Sequence, residues 1–279
     1  MCRGTILSLF LFTVTSLHHA IAQIGIQSPY GFEVTLYVDD DLAHDIHCMT
    51  IDSRGRVVVA GQGYVKILHD TDDDGRADNA TLFSEFPTSC AHGMVFVGND
   101  LIATGDNMVM RLIDEDADGV ADRPPVPLAI VRSPEHGANG LVQGPDGWTY
   151  MIAGNDAGIG AQFAKTETSA VKKPQAGAVV RFSPDFKTSE VFAHGFRNPY
   201  DLGFNANGHL FTVDADGERD QYLPWYTPTR LFDIQQGMHH GWVQRGWTRS
   251  WGRPECFFDN VDRLVEVGRG SPTGVECYR

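Results

Sequence analysis

The chain has 279 residues, 42% of them apolar and 21% charged, which is enough for one large domain or two small ones with a real core and excludes a disordered chain. Asp and Glu (36) outnumber Lys and Arg (22) for a net charge of -14. That balance argues against a nucleic-acid footprint and against a polybasic membrane contact, and favours cationic partners or bound divalent metal.

Residues 1–22 have the pattern of a secretory signal peptide: Arg3 near the start, an apolar run over 6–17, and Ala20-Ile21-Ala22 as a cleavage site before Gln23. The run is too short to span a bilayer well, and no later segment is long and apolar enough, so no membrane span is expected after cleavage. The expected location is secreted or periplasmic, with residues 23–279 as the folded domain. Cys48, Cys90, Cys256 and Cys277 remain in that domain. Four cysteines in an oxidising compartment allow three pairings. Cys256 with Cys277 is favoured by local spacing, and Cys48 with Cys90 follows if both lie at one end of neighbouring repeats; free buried thiols are the alternative.

Residues 49–59, 94–103, 141–150 and 202–211 share one plan, an apolar strand, a tight turn and a second strand. In the third copy the turn is Gly144-Pro145-Asp146-Gly147, where Pro presets φ and Gly supplies φ > 0. Third strands are predicted at 64–68, 109–113 and 178–182, and outer strands at 80–83 and 190–193. The copies recur about every 40 to 60 residues, the range of propeller blades. No helical period persists. The expected fold is therefore all-β, a β-propeller of four-stranded blades around a channel; a β-sandwich does not predict a repeat with matched polar ends. Residues 271–278 read as the entry into a fifth inner strand, so the chain is expected to be a partial propeller, truncated after about four blades.

Aligning the inner strands by their turns puts the residues just before each strand at one channel mouth. They are His47, His92, Glu135 with His136, then His194 with Arg197 and Asn198, and Thr273 in the partial blade. Imidazoles and a guanidinium gathered there suit a general base and the recognition of anions or carbonyls. The same groups also suit hydrogen bonds that hold neighbouring blades together. His136 and Arg197 are the stronger functional candidates, and His47, His92 and His194 fit either role.

Two acidic loops follow third strands. Asp70, Asp72, Asp74, Gly75 and Asp78 in one, and Asp114, Asp116, Asp118, Gly119 and Asp122 in the other, have the spacing of the first half of an EF-hand loop. Position twelve is Thr81 or Pro125, so the bidentate glutamate is missing. Weak structural Ca²⁺ sites are the expectation, and plain solvated acidic turns the alternative. The segment 221–240 reads as a loop whose Trp225, Tyr226, His239 and His240 either wall the mouth or pack as a lid.

Glu135-His136 followed by Gly140-Leu141-Val142-Gln143-Gly144-Pro145-Asp146-Gly147, then Gly195-Phe196-Arg197-Asn198-Pro199, then Gly241-Trp242, resembles the soluble PQQ-dependent glucose/sorbosone dehydrogenases, which are six-bladed propellers. The likeness is closer to the dehydrogenase-like propellers of large secreted planctomycete and verrucomicrobial proteins, which often carry a c-type haem domain. It runs from about Tyr30 to the end of the chain. The resemblance implies that His136 is the general base that takes a proton from a sugar hydroxyl while hydride passes to the quinone. It implies that Arg197 and Asn198 contact cofactor and substrate, and that a Ca²⁺ touching the quinone lies where the fourth blade's second strand ends; Asp214, Asp216 and Glu218 there are either its ligands or an exposed acidic loop. The sequence departs from the family in three places. Glu135 stands where the family has Asp, and Gly154-Asn155-Asp156 stands where the family has a Gly-Asp that orients the histidine, so that Asp156 serves only with a register shift. The basic residues that clamp the quinone's carboxylates come from later blades.

The reading is a quinone (PQQ)-dependent dehydrogenase-like protein acting on a sugar or polyol, with a cytochrome as electron acceptor. The alternatives are a non-catalytic propeller that binds glycan or protein, and a Ca²⁺-dependent lactonase-like hydrolase.

Overall fold

Strands buried on both faces need near-continuous apolar sequence, and the second strand of each repeat supplies it in Val57-Val58-Val59-Ala60, Leu101-Ile102-Ala103 and Tyr150-Met151-Ile152-Ala153, nearly all of it buried. The computed structural model describes residues 28–245, 249–252 and 258–278, so the expected signal peptide and Cys256 lie outside the described residues. The chain divides into a unit that ends at Tyr37 and a unit that begins at Val38. In the first, residues 28–37 carry no strand, and Ser28 Oγ donates to the Phe32 carbonyl at 2.7 Å. No described helix is long and apolar enough to cross a membrane.

The second unit is a β-propeller of four four-stranded blades. Blade 1 is β1 (Cys48–Ile51), β2 (Val57–Gly61), β3 (Tyr64–His69) and β4 (Asn79–Ser84), antiparallel in chain order. Blade 2 is β5 (Gly93–Val97), β6 (Asp100–Gly105), β7 (Met108–Leu112) and β8 (Val126–Ile130), and blade 3 is β9 (Ala138–Gln143), β10 (Thr149–Ala153), β11 (Gly177–Phe182) and β12 (Ser189–Phe196). Blade 4 takes β13 (Pro199–Phe204), β14 (Leu210–Asp214) and β15 (Thr229–Ile234), and closes with β18 (Val265–Gly268) after the hairpin β16 (Trp242–Arg245) and β17 (Arg249–Gly252). The expected loop at 221–240 thus contains a strand. In β15, Thr229, Arg230, Phe232 and Ile234 are buried.

The turns between first and second strands define one end of the ring. Gly147 and Gly208 have φ of 80° and 82° there, and Asn205 Oδ1 accepts the N–H groups of Asn207 (2.9 Å) and His209 (3.0 Å) to close its turn. Apolar side chains fill the spaces between blades: Val65, Phe83 and Met110 between blades 1 and 2, Ile102, Met151 and Val180 between 2 and 3, and Ile152, Phe196 and Phe232 between 3 and 4. Each such burial contributes about 1.5–3 kcal/mol.

Inner strands approach closely round the channel. A Cβ on Gly93 would lie 2.4 Å from the Asn139 carbonyl, so only glycine fits there. Thr104 Oγ1 donates to the Asn139 carbonyl (2.9 Å) and Asn139 Nδ2 donates to the Pro199 carbonyl (2.8 Å), tying blades 2, 3 and 4 in series. Residues 271–278 form no strand, but Val275 N–H donates to Asp201 Oδ2 of β13 at 3.3 Å and its carbonyl lies against Gly203, beside the fourth inner strand.

Candidate functional site

The strand register places His47, His92 and His136 at the end of the channel opposite the turns. His47 N–H donates to the Ala60 carbonyl and His92 N–H to the Thr104 carbonyl, each at 2.9 Å, equivalent positions in blades 1 and 2. His136 enters blade 3 in the same way, and blade 4 is entered by Arg197 and Asn198. His194 differs from the expectation. It lies on β12, the outer strand of blade 3, where its Nδ1 accepts the Gln175 N–H (3.0 Å) and its ring meets His239 edge-on at 4.7 Å. β12 ends at Phe196 and β13 begins at Pro199, so His194 is close in sequence to the entry residues Arg197 and Asn198 while lying on the outer strand.

His136 is fixed by an amide. Its Nδ1 lies 2.7 Å from Asn155 Oδ1, and Asn155 Nδ2 donates to Asp156 Oδ1 at 3.3 Å, which sets the amide orientation. An amide oxygen only accepts, so Nδ1 carries the proton and the neutral ring presents a bare Nε2 lone pair. Asp156 Oδ2 stays 3.9 Å from the ring, and Asp156 instead gives its N–H to the His136 carbonyl (3.0 Å). Asn155 therefore orients the histidine with no register shift. The same residue donates its N–H to the Arg197 carbonyl at 2.8 Å, coupling the third and fourth entries. Gly154 makes this possible, because a Cβ there would lie 2.7 Å from the His136 carbonyl oxygen. Glu135, next in sequence, is exposed.

Arg197 is buried, and its Nη2 meets Glu218 Oε2 at 2.5 Å. Partial burial opposes ionisation of Glu218, but its own backbone N–H and then the Arg197 guanidinium outweigh this and hold the carboxyl below its usual range; His136 adds a smaller pull. Below them Asp214, fully buried, accepts the Arg197 N–H on both oxygens (3.0 Å each) and the Asn198 N–H (2.8 Å), and pairs with Arg230 Nη2 at 3.2 Å. Burial pushes the Asp214 carboxyl up, against the pull of Arg230 and of those two amides. Asn198 Oδ1 is buried with no partner among the described residues.

The three acids expected to hold a cation beside the quinone are not brought together. Asp214 is the clamp just described, Asp216 accepts the Tyr226 hydroxyl (2.7 Å), and Glu218 faces Arg197. The two acidic loops do converge, each through three of the four aspartates expected as ligands. Asp70, Asp72 and Asp78 bring oxygens within 4.8 Å of one another, and so do Asp114, Asp116 and Asp122. Asp74 and Asp118 instead cap their own turns, accepting the N–H groups of Arg76 (2.9 Å) and Val120 (2.8 Å). Both loops follow third strands at the turn end of the ring, away from His136.

His92, on the channel wall, faces Tyr200 of β13 at 6.5 Å between ring centroids. Burial, with a smaller contribution from His47, pushes its imidazole below the usual range, and burial lifts the Cys48 thiol and the Tyr200 hydroxyl to about 12. Cys48, Cys90 and Cys277 are free thiols, so the expected Cys48–Cys90 bridge is not formed. His239 and His240 are fully buried between blades 3 and 4 and do not wall the mouth, whereas Trp225 is exposed.

The sequence family described as a domain of unknown function (DUF7133) matches residues 17–232. The chain belongs to this family. No curated protein matches the sequence. Among solved structures, the chain is similar to the PQQ-bound form of an aldose sugar dehydrogenase from Streptomyces coelicolor, with a TM-score of 0.56 and 16% identity over 84% of this chain and 71% of that one. It is also similar to the calcium structure of a Trichoderma reesei carbohydrate-active enzyme of family AA12 (TM-score 0.57, 16% identity, 81% of this chain and 68% of that one). A third likeness is to the PQQ domain of a pyranose dehydrogenase from Coprinopsis cinerea (TM-score 0.52, 14% identity, 77% and 60%). At these identities the likeness shows the propeller fold shared with these proteins.

Proposed function

We propose that this DUF7133 protein oxidises a sugar or polyol with PQQ, using His136 as general base. The observation that carries the reading is the bare Nε2 of His136, made available by the Nδ1–Asn155 contact and placed at one mouth with Arg197. The names of the similar structures, a PQQ-bound aldose sugar dehydrogenase and a pyranose dehydrogenase PQQ domain, support it.

The residues present fit one side of such a site. Arg197 supplies a cation, and the unpartnered Asn198 Oδ1 accepts from a substrate hydroxyl. Bound PQQ supplies a hydride acceptor. His136 Nε2 takes the hydroxyl proton as the alcohol carbon is oxidised, and Asn155 holds the ring in the tautomer this requires. Glu218 holds Arg197 in place, and Asp214 fixes the backbone that carries Arg197 and Asn198. Electrons leave to an external acceptor; a cytochrome is proposed on the resemblance to secreted proteins that carry a c-type haem domain. Secretion rests on residues 1–22, and an N-terminus at Gln23 in exported protein tests it. The acidic loops are proposed as structural Ca²⁺ sites remote from the reaction.

The test is dye reduction by protein reconstituted with PQQ and Ca²⁺ across a panel of aldoses and polyols, with His136→Ala in parallel. Activity that the variant loses supports the reading. No reduction with any substrate refutes it, and lactone hydrolysis without quinone replaces it with a hydrolase.

A further inference from the structure

A cleft of about 580 Å³ opens between blades 3 and 4 at the turn end of the ring, opposite His136, within the range of about 300–1,000 Å³ typical of ligand sites. The corresponding space between blades 1 and 2 is closed to about 20 Å³, because the acidic loop after β7 fills it with Asp114 and Ala117. Between blades 3 and 4 the chain after β15 turns back at once, with Met238 N–H donating to the Gln235 carbonyl (3.2 Å) and Gly237 N–H to the Phe192 carbonyl (2.7 Å), and leaves the cleft open.

Its walls are fixed. Tyr150 packs edge-on against Phe192 (5.3 Å) and Phe204 (5.2 Å). Arg181 lies over the Trp148 ring at 4.5 Å and is held through Nε and Nη2 by Glu190, itself 2% exposed. The one guanidinium in the cleft, Arg181, is shared between Glu190 and Asp146, and Asp233 lies beside the His209 imidazole at 3.0 Å, so carboxylates outnumber the guanidinium. An anionic ligand would have to displace Glu190 or Asp146 from Arg181 while facing the Asp233 carboxylate. The hydrogen-bonding capacity left over is neutral and two-sided, since the side-chain amides of Asn207, Gln235 and Gln236 line the cleft and make no hydrogen bond among the described residues. Aromatic walls with carboxamides that both donate and accept match a ligand with apolar ring faces and many hydroxyls.

We infer that this cleft binds a neutral oligosaccharide, at a site separate from the His136 mouth. It would hold a glycan chain on one face while the other face carries the proposed oxidation.

Fluorescently labelled full chain is applied to an array of neutral, uronic-acid-containing and glucosamine-containing oligosaccharides, followed by calorimetric titration with the best neutral one. Asn207→Ala/Gln236→Ala, both exposed positions, is expected to weaken binding about tenfold or more, while His136→Ala leaves it unchanged and the double variant keeps wild-type dye reduction. Hydrogen exchange of the wild type should slow at 145–150 and 233–236 when the oligosaccharide is added. Absence of neutral-glycan binding, binding of charged oligosaccharides alone, or affinity lost with His136→Ala but kept in the double variant would each overturn the inference. Failure of the oxidation assay leaves all these readouts intact.

Discussion

Asp214→Ala tests how the mouth is held up. The carboxylate is fully buried and answers three groups, the N–H of Arg197, the N–H of Asn198 and the Arg230 guanidinium, which is 8% exposed. Removing it leaves a buried cation without its partner and two main-chain donors unanswered. Breaking a buried pair from one side costs about 3–5 kcal/mol, a large share of the roughly 5–15 kcal/mol available to a domain. Asp214→Asn keeps the volume and an acceptor for the amides but loses the charge, and is expected to cost less, about 1.5–3 kcal/mol. Adding Arg230→Met to Asp214→Ala removes the stranded charge and should recover part of the loss. The assay is urea unfolding of wild type, Asp214→Ala, Arg230→Met and the double variant, read as a double-mutant cycle, with Asp214→Asn measured alongside. A loss under about 1 kcal/mol for Asp214→Ala, or no recovery on adding Arg230→Met, would refute the clamp.

His240 gives a pH dependence: burial first, then the charges of His239, His194 and Arg230, push its imidazole to about 3 although its Nδ1 bond to the His194 carbonyl opposes this. With the folded value depressed from 6.5, the unfolded chain binds the extra proton, so the stability is full above pH 6.5 and falls as pH drops towards 3; about 2 kcal/mol should be lost between pH 6.5 and 5. His240→Phe, which keeps the stack on Phe196, should flatten that slope in unfolding measured at several pH values. Gly154→Ala would press a Cβ on the His136 backbone at 2.7 Å. It should cost about 1–3 kcal/mol and lower any sugar-oxidising rate by about 10²-fold, since a displacement of about 1 Å carries that penalty. If the acidic loops bind Ca²⁺ with Kd of about 10⁻⁴–10⁻³ M, 10 mM Ca²⁺ should stabilise by about 1.4–2.7 kcal/mol per site. A thermal midpoint that rises over an EDTA control, and rises less in Asp70→Asn and Asp114→Asn, is the expected result.

The propeller was legible because its determinants are local. Apolar strands at a fixed period, with Gly147 and Gly208 in their turns, specify hairpins one at a time, and the repeat specifies the ring. The strand β15 was hidden because Arg230 and Asp233 interrupt its alternation, and only the fold shows that Arg230 is answered by Asp214. His136 and Arg197 were readable as entry residues. Their partners were not: Asn155, Glu218 and Asp214 each act across a blade or a strand, and acids within five positions at 214–218 look like a metal loop until their side chains are seen to diverge. His194 was misplaced for the same reason, since an outer strand and the next inner strand adjoin in sequence while facing different neighbours.

The central claim is that His136 takes the substrate proton. Single-turnover reduction of PQQ-loaded protein by its best aldose, followed by absorbance in wild type and His136→Asn, tests it most directly. The account predicts a rate lower by about 10²–10⁴-fold with PQQ affinity unchanged within a few-fold. A rate in the variant within about threefold of wild type would contradict it.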